Sequence, residues 1–246
     1  MDAQFQQIFS IAALPDRLHQ ELARSGFATI SGPITGNSLD QLAAEYDEVM
    51  ASASGPDFNV AGTTTRMSDL LNYNPSFAKI FVHPPLLEAC AHVIGEPFKL
   101  SSFLGRTLRG ETPSQELHAD LPRDSDDAPL FGFILMIDRF HAENGATRFV
   151  PGSHRWADLP SDRLCNARAA YPGEVLSCGD AGTMILFNGA VWHGHTANIT
   201  HCQRRSIQGY FVRRNALSGF DFRTRTLPLA RIRMSPLQRY LLSLDD

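Results

Sequence analysis

The sequence predicts an α+β protein in which an N-terminal helical part precedes a β-barrel or jelly-roll core. Two observations lead to this prediction. Up to about residue 97, the apolar residues recur mainly with helical spacing. From about residue 98 the pattern changes to alternation, and glycine turns separate at least eight short β segments.

The N-terminal part carries clear helix boundaries. Residues 14–26 have Pro15 near the start and Gly26 at the end, which are the residue types that favour those two positions. Further along, the pattern predicts a strand at 27–34, a helix at 37–52, and two helices within 76–97 that are separated by Pro84–Pro85 and closed by Gly95.

The β-core is predicted from short alternating segments. The longest of them, 128–140, is apolar almost throughout and is therefore expected to be buried on both faces. A basic tail, 215–246, is expected to end in a short helix packed back on the core. The chain is thus predicted to be one domain, with a helical part at about 1–97 and a β-core at about 98–214. The predicted β segments are 99–110, 115–120, 128–140, 146–154, 174–178, 182–189, 190–196 and 204–214.

Composition excludes several classes of function. The net charge of −4 and pI of about 6.1 give no electrostatic basis for binding nucleic acid. No apolar run has the length of a membrane span, and the N-terminus shows no signal-peptide pattern. The four cysteines include no CxxC pair and are expected to be reduced thiols, so a cytoplasmic location is predicted. The oligomeric state is left open.

Two pairs of side chains suggest a metal site. His118 and Asp120 stand two residues apart in a predicted strand, so they share a face and can form either an ion pair or part of a metal site. His193 and His195 repeat this spacing. Two neutral imidazoles and one carboxylate make up the facial triad of non-haem Fe(II) oxygenases, although spacing alone does not choose between the two later histidines.

Arg204 adds a candidate anion site. It follows His193 by eleven residues, on a strand that can run antiparallel to the histidine strand and point into the same cavity. Its planar guanidinium group binds a carboxylate through two parallel hydrogen bonds. Ser206 lies two residues further on the same face and can offer its hydroxyl to the same carboxylate.

Longer motifs resemble those of the phytanoyl-CoA dioxygenase (PhyH-like) family of Fe(II)/2-oxoglutarate-dependent oxygenases. The resemblance extends over roughly 20–214 and implies a double-stranded β-helix, which is a cupin-like jelly roll, with flanking N-terminal helices. The motifs that carry it are "SGFATISGPIT" at 25–35, "HAD" at 118–120, "ENGATRFVPGSHRW" at 143–156 and "GDAGTMILFNGAVWHGHTANITHCQRR" at 179–205.

The resemblance also implies residue roles. His118, Asp120 and His193 would ligate Fe(II), and Arg204 would bind the co-substrate 2-oxoglutarate, with no catalytic residue beyond the metal ligands. The family's spacing from the distal histidine to the arginine favours His193, which leaves His195 to line the substrate pocket or to serve as a core histidine. With O₂, such a site hydroxylates a substrate and releases succinate and CO₂. Desaturation, epimerisation and cyclisation remain open.

The substrate is predicted only as a class. The polar segments 155–173 and 121–129 are expected to line the rim of the site, which suits a small polar or amphipathic metabolite. Two alternatives stay open: a cupin-like protein that binds a metal or ligand without turnover, and a peptidyl hydroxylase. Asn198 and His154 of the family motifs are expected to stabilise turns rather than take part in chemistry.

Overall fold

A computed structural model describes residues 3–10, 13–55, 57–68, 70–121 and 129–245. Its helices are α1 (Ala3–Phe9), α2 (Asp16–Ser25), α3 (Asn37–Ser52), α4 (Leu70–Tyr73), α5 (Ala78–Phe81), α6 (Pro84–Ile94), α7 (Pro160–Arg163), α8 (Phe222–Arg225), α9 (Pro228–Ile232) and α10 (Pro236–Leu241). Its strands are β1 (Phe27–Ser31), β2 (Phe58–Ala61), β3 (Thr64–Met67), β4 (Phe98–Leu108), β5 (Phe131–Met136), β6 (Thr147–Phe149), β7 (Val175–Ser177), β8 (Thr183–Asn188), β9 (His193–His195) and β10 (Arg204–Arg213). Short 3₁₀ turns occupy Pro75–Phe77 and Ser153–Arg155.

The strands form two antiparallel sheets. The larger sheet has the order β1-β8-β5-β10-β4-β3-β2, and the smaller sheet has the order β7-β6-β9. Neighbouring strands such as β4 and β10 are far apart in the sequence, so the sheets are held together by long-range pairing rather than by successive hairpins. With the helices placed mainly before the strands, this arrangement confirms the predicted α+β class.

The central strand β5 of the larger sheet is buried on both faces. On β5, Phe133 and Leu135 pack into the core shared with the N-terminal helices, whereas Ile134 and Met136 pack into a second core with residues of the smaller sheet. All six residues of β5 are buried. The prediction that this strand is buried on both sides is therefore confirmed.

Alternation along β10 divides its side chains between these two environments. Arg204 and Ser206 lie on the inner face, where the metal-site residues are, whereas Ile207 packs into the core on the helix side. Arg205 likewise faces away from the site and pairs with Asp138 and with Asp47 of α3. Adjacent residues of this strand thus serve different parts of the protein.

The helix boundaries follow the expected residue types. α2 ends at Gly26, whose positive φ of 85° is readily adopted by glycine and lets its N–H bond to the Leu22 carbonyl at 2.9 Å. α3 covers the predicted 37–52, and α6 begins at Pro84 and is closed by Gly95 with φ of 70°. These predictions are confirmed.

Several predicted β segments were wrong in extent; 146–154 is a strand only over β6, and 190–196 only over β9. Residues 115–120 form no regular strand; their only ladder partner is a single bridge from His118 to His193. The strand predicted at 128–140 is confined to β5, because the chain turns after Met136, where the Asp138 carboxylate accepts hydrogen bonds from Arg205.

The hairpin formed by β2 and β3 was not predicted. Its two strands are joined by Gly62 and Thr63, and β3 pairs with β4 at the edge of the larger sheet. Most of its side chains are polar or exposed, so the sequence there lacks the apolar alternation that indicates a strand. This hairpin forms one wall of the cleft described below.

The tail contains three short helices rather than one. α10 packs on the core through buried Leu241, and Arg214 stacks on the ring of Tyr240 with 4.0 Å between the guanidinium carbon and the ring centre. A helix packed back on the domain was predicted and is confirmed. Among the helices that the structure describes, none combines the length and hydropathy required to cross a membrane.

Candidate metal and co-substrate site

A cavity of about 210 Å³ lies on the inner face of the larger sheet, and we call it the inner cavity. Its lining includes the predicted residues His118, Asp120, His193, His195 and Arg204. The lining of the inner cavity therefore comes from several parts of the chain, including β3, β4, β9, β10 and the extended segment before residue 121. The predicted site residues lie together, although 86 positions separate His118 from Arg204 in the sequence.

Backbone hydrogen bonds place His118 and Asp120 beside β9. The His118 N–H donates to the His193 carbonyl and the His193 N–H donates to the His118 carbonyl, both at 2.9 Å. The Asp120 N–H donates to the Gly189 carbonyl at 2.8 Å. Together with bonds from the N–H groups of Gln115 and Leu117, these contacts hold the segment in extended form, and both side chains lie on the same side of it, as in a strand.

The three side chains have the spacing of a metal site. His118 Nε2 lies 3.6 Å from Asp120 Oδ1, and His193 Nε2 lies 3.4 Å from Asp120 Oδ2. One donor atom from each residue lies within 4.8 Å of the other two. Two donors bound side by side at about 2.1 Å from an ion lie about 3 Å apart, so small side-chain adjustments suffice for binding. Among the described residues, no other His, Cys, Asp and Glu group has this geometry.

Both imidazoles are oriented for metal binding by their second nitrogen. His118 Nδ1 contacts the Glu116 carbonyl at 3.0 Å, and His193 Nδ1 contacts the Val191 carbonyl at 2.9 Å. A carbonyl accepts from Nδ1–H, so Nε2 keeps its lone pair for a metal. Burial lowers the pKa of His193 to about 4, which keeps this imidazole neutral at neutral pH.

Tyr210 orients the carboxylate of the group. Its hydroxyl donates to Asp120 Oδ2 at 2.9 Å, and burial together with the Asp120 charge raises the pKa of this phenol well above its usual value. Sequence reasoning missed Tyr210. The signal was nonetheless available, because alternate residues from Arg204 along β10 lead through Ser206 and Gln208 to Tyr210 on the same face.

Removal of this hydroxyl is expected to weaken metal binding without unfolding the protein. In Tyr210→Phe, Asp120 loses the bond that fixes its rotamer, and loss of such an outer-sphere partner typically costs about 10- to 100-fold in metal affinity. The measurement is a competition titration of Mn(II) against a chelator, with Tyr73→Phe, an exposed tyrosine of α4, as the control. Equal affinities in the wild type and Tyr210→Phe would contradict this role.

Arg204 is a buried cation without a carboxylate partner among the described residues. Only 1% of it is exposed, its buried Nε has no hydrogen-bond partner, and its guanidinium carbon lies 4.2 Å from the centre of the Phe140 ring. Burial, and then the charge of Arg106, lower the pKa of Arg204 to about 9, so it stays charged at neutral pH. An unpaired buried charge is costly, and an anionic ligand in the cavity offsets that cost.

Ser206 and His195 lie beside Arg204. The Ser206 hydroxyl accepts from Arg204 at 3.3 Å and is fully buried. His195 Nδ1 contacts the Thr196 carbonyl at 2.8 Å; burial and the charge of Arg106 lower the pKa of His195 to about 3. His195 lines the inner cavity but does not belong to the three-residue donor group. His195 thus lies outside the metal donor group, and its contact with the substrate stays a prediction.

A larger open cleft of about 640 Å³ adjoins the inner cavity, and we call it the outer cleft. It shares Arg66, Arg106, Gln115, His118 and His195 with the inner cavity, so the two spaces are continuous. Its remaining walls come from the β2–β3 hairpin, from residues 112–119 and from the start of α7. Sequence reasoning missed Arg66 and Arg106, since their placement depends on the pairing of β3 with β4.

The predicted rim segment 155–173 is anchored rather than free. Buried Arg148 of β6 donates to the carbonyls of Ala167 and Ala169, both at 2.8 Å, and pairs with Glu174 at 3.2 Å. Arg148 also donates to the Gln115 carbonyl at 2.8 Å, so one side chain connects this segment to the residues before His118. The second predicted rim segment, 121–129, lies largely outside the described residues.

Asn198 and His154 have the turn contacts that were expected of them. Asn198 is fully buried, donates to the carbonyls of Arg109 and Cys202, and accepts from the Thr200 N–H and hydroxyl. His154 Nε2 contacts the Ala23 carbonyl at 3.3 Å. Neither residue lines the inner cavity.

These observations fit an Fe(II) ion and a dicarboxylate. Two imidazole nitrogens and one carboxylate are the donor set of non-haem Fe(II) sites that leave positions open for other ligands. Arg204, whose buried Nε has no hydrogen-bond partner, lines the same cavity, and its guanidinium group fits a carboxylate. The sequence predicted both the metal donor group and the position of Arg204 beside it. That these residues bind Fe(II) and a dicarboxylate stays a prediction.

Comparison with known proteins gives consistent results. The chain is 28% identical to the dioxygenase aneA of Aspergillus aculeatus over 74% of this chain and 66% of that protein. It is 27% identical to the Fe(II)/2-oxoglutarate-dependent dioxygenase nvfF of Aspergillus novofumigatus over 80% of this chain and 71% of that protein. It spans 57% of another fungal relative, the dioxygenase sphC of Aspergillus fumigatus, so the curated relatives are longer than this chain.

Solved structures share the fold. HygX from Streptomyces hygroscopicus, crystallised with nickel and 2-oxoglutarate, superposes with a TM-score of 0.71 at 16% identity, covering 84% of this chain and 90% of that one. The 2-oxoglutarate-dependent epimerase SnoN from nogalamycin biosynthesis superposes with a TM-score of 0.65 at 18% identity, covering 80% and 82%. The predicted jelly-roll core is confirmed. The family model of phytanoyl-CoA dioxygenase (PhyH) matches residues 22–206, three quarters of the chain, and the protein belongs to that family.

Proposed function

We propose that this protein is an Fe(II)/2-oxoglutarate-dependent dioxygenase that hydroxylates a small-molecule metabolite and releases succinate and CO₂. One observation carries the proposal: a two-histidine, one-carboxylate donor group and the unpaired buried cation of Arg204 line the same inner cavity. A metal-binding protein without turnover has no need of the second feature. The names of aneA and nvfF support the same activity.

Each residue has a defined task in this proposal. His118, Asp120 and His193 hold Fe(II), and Tyr210 fixes the Asp120 carboxylate. Arg204 binds the distal carboxylate of 2-oxoglutarate, with the Ser206 hydroxyl beside it. When bound, iron, 2-oxoglutarate and O₂ supply the oxidation of an unactivated C–H bond. His193, His195 and Arg204 are buried, which limits the access of water to this part of the inner cavity.

The outer cleft supports a small molecule over a protein side chain as the substrate. Its volume of about 640 Å³ falls within the range of about 300–1,000 Å³ that is typical of small-molecule sites. It opens directly onto His118 and His195, so a bound molecule reaches the metal position from this side.

The activity is tested by anaerobic addition of Fe(II) and 2-oxoglutarate to the purified protein. The proposal expects a visible charge-transfer band from the ternary complex and, in air, slow release of succinate even without substrate. A matched sample of Arg204→Ala loaded with the same iron should show a weaker band at equal 2-oxoglutarate. A protein that binds iron but gives neither band nor succinate would be a binding protein.

The carboxylate ligand also determines the type of product. In the proposed site three protein ligands, two atoms of 2-oxoglutarate and O₂ fill the six positions of the metal, so with Asp120 as a ligand no position is free for a halide. We therefore expect oxidised products without chlorine, even at high chloride concentration. Mass spectrometry of the product formed by the unmutated protein is the measurement, and a chlorine isotope pattern would overturn the ligand assignment.

We further infer a reducing, cytoplasmic environment. The four cysteines are free thiols, and Cys165, Cys178 and Cys202 are exposed. Exposed thiols persist in reducing compartments and become oxidised outside them.

A further inference from the structure

Three arginines form a row across the inner face of the larger sheet. Arg106 of β4 lies directly opposite Arg66 of β3 on one side and opposite Ser206 of β10 on the other, and Arg204 follows two residues from Ser206. Like charges placed directly opposite each other on neighbouring strands repel. An anion bound between them relieves that repulsion.

Arg106 occupies the junction of the two spaces. It lines both the inner cavity and the outer cleft. Within the described residues its guanidinium group makes one long hydrogen bond, to Gln115 Oε1 at 3.4 Å, and its buried Nε has no partner. Burial and the charge of Arg66 lower the pKa of Arg106 to about 10, so it remains a cation. By contrast, Arg168 at the outer rim is already paired with Glu116 at 3.2 Å.

The charge of the inner cavity exceeds what the co-substrate neutralises. Among its described lining residues, Arg66, Arg106 and Arg204 each carry a guanidinium group, and only Asp120 carries a carboxylate. Fe(II) brings two positive charges and 2-oxoglutarate brings two negative charges, which cancel. An excess of positive charge therefore remains once both are bound, and Arg106 lies on the side that faces the outer cleft.

Resting on the proposed function, we propose that the primary substrate carries an oxyanion, a carboxylate or a phosphate, and that Arg106 binds this group. The anion then lies at the junction of the two spaces, and the carbon to be oxidised lies nearby in the inner cavity. Arg106 is accordingly a specificity-determining residue, distinct from Arg204, which binds the co-substrate.

The test uses protein loaded with Mn(II) and saturated with 2-oxoglutarate. Methyl phosphate and acetate are titrated separately by calorimetry at constant ionic strength, and the tighter of the two identifies the class of oxyanion. The variants are Arg106→Gln, Arg106→Lys and Arg109→Gln. Arg109 is exposed, lies three residues further along the chain and lines neither cavity, so Arg109→Gln is a matched loss of charge.

We expect saturable oxyanion binding in the wild type and a loss of about tenfold or more in Arg106→Gln, as for loss of a charge-assisted hydrogen bond. Arg106→Lys should fall between the two, Arg109→Gln should match the wild type, and 2-oxoglutarate affinity should be unchanged in all. Absence of saturable binding in the wild type, or a loss confined to 2-oxoglutarate in Arg106→Gln, overturns the inference. Failure of the wild type to bind 2-oxoglutarate, measured before any oxyanion is added, overturns the proposed function instead.

Discussion

Replacement of His118, Asp120 or His193 by alanine is expected to abolish retention of Fe(II), whereas His195→Ala retains it. The first three residues supply the donor atoms that lie within 4.8 Å of one another, and His195 stands outside that group. Loss of an outer-sphere partner already costs about 10- to 100-fold in metal affinity, so loss of a direct ligand should exceed that range.

The measurement is iron content after anaerobic reconstitution and desalting, with circular dichroism to show that each variant is folded. His195→Ala is the matched control, because it removes a buried imidazole two residues from His193 in the same strand. If His195→Ala lost the metal and His193→Ala kept it, the assignment of the distal ligand would be reversed. A rise in the KM for substrate in His195→Ala would agree with its position in both cavities.

Arg204→Ala is expected to weaken 2-oxoglutarate binding by about 10- to 150-fold. A charge-assisted hydrogen bond in a buried site contributes about 1.5–3 kcal/mol, and 1.4 kcal/mol corresponds to a factor of ten. Arg204→Lys keeps the charge but loses the planar fork, so its affinity should lie between those of the wild type and Arg204→Ala. The apparent KM for 2-oxoglutarate, followed through succinate release at verified iron occupancy, measures the effect.

Arg205→Ala is the control for that experiment. Arg205 donates to the Asp138 carboxylate at 2.6 and 3.0 Å and pairs with Asp47 at 2.7 Å, on the face of the sheet that the helices cover. Its removal should leave the KM for 2-oxoglutarate unchanged but lower the free energy of unfolding by about 1.5–3 kcal/mol, as expected for lost charge-assisted bonds. A large effect on the KM in Arg205→Ala and a small one in Arg204→Ala would show that Arg205, and not Arg204, binds 2-oxoglutarate.

The site was predictable from the sequence where its chemistry is local. His118 with Asp120, and His193 with Arg204, each belong to short motifs whose spacing fixes a common face, and the structure brings these residues together in the inner cavity. The strand predicted for 115–120 was wrong because one bridge to His193 and separate backbone bonds, to the carbonyls of His195, Ala167 and Gly189, extend the chain there without a continuous ladder. Residue spacing does not distinguish such a segment from a regular strand.

The missed residues depend on pairing between distant parts of the chain. Arg66 joins the site only because β3 pairs with β4, and the polar hairpin that contains it gives no apolar alternation to reveal a strand. Arg106 acquires its neighbours from both β3 and β10, which lie 40 residues before it and 100 residues after it. Tyr210, in contrast, follows from alternation along β10 and could have been identified.

The alternation of side chains between the two faces of β4 and β10 suggests a route to directed evolution of this protein. Positions 104, 106 and 208 point into the inner cavity, whereas their neighbours Phe103 and Ile207 pack against the helices. A combinatorial library restricted to those three positions alters the shape and charge of the binding surface while leaving the hydrophobic packing intact. We therefore expect a few substitutions at these positions to change the substrate preference at a small cost in thermal stability.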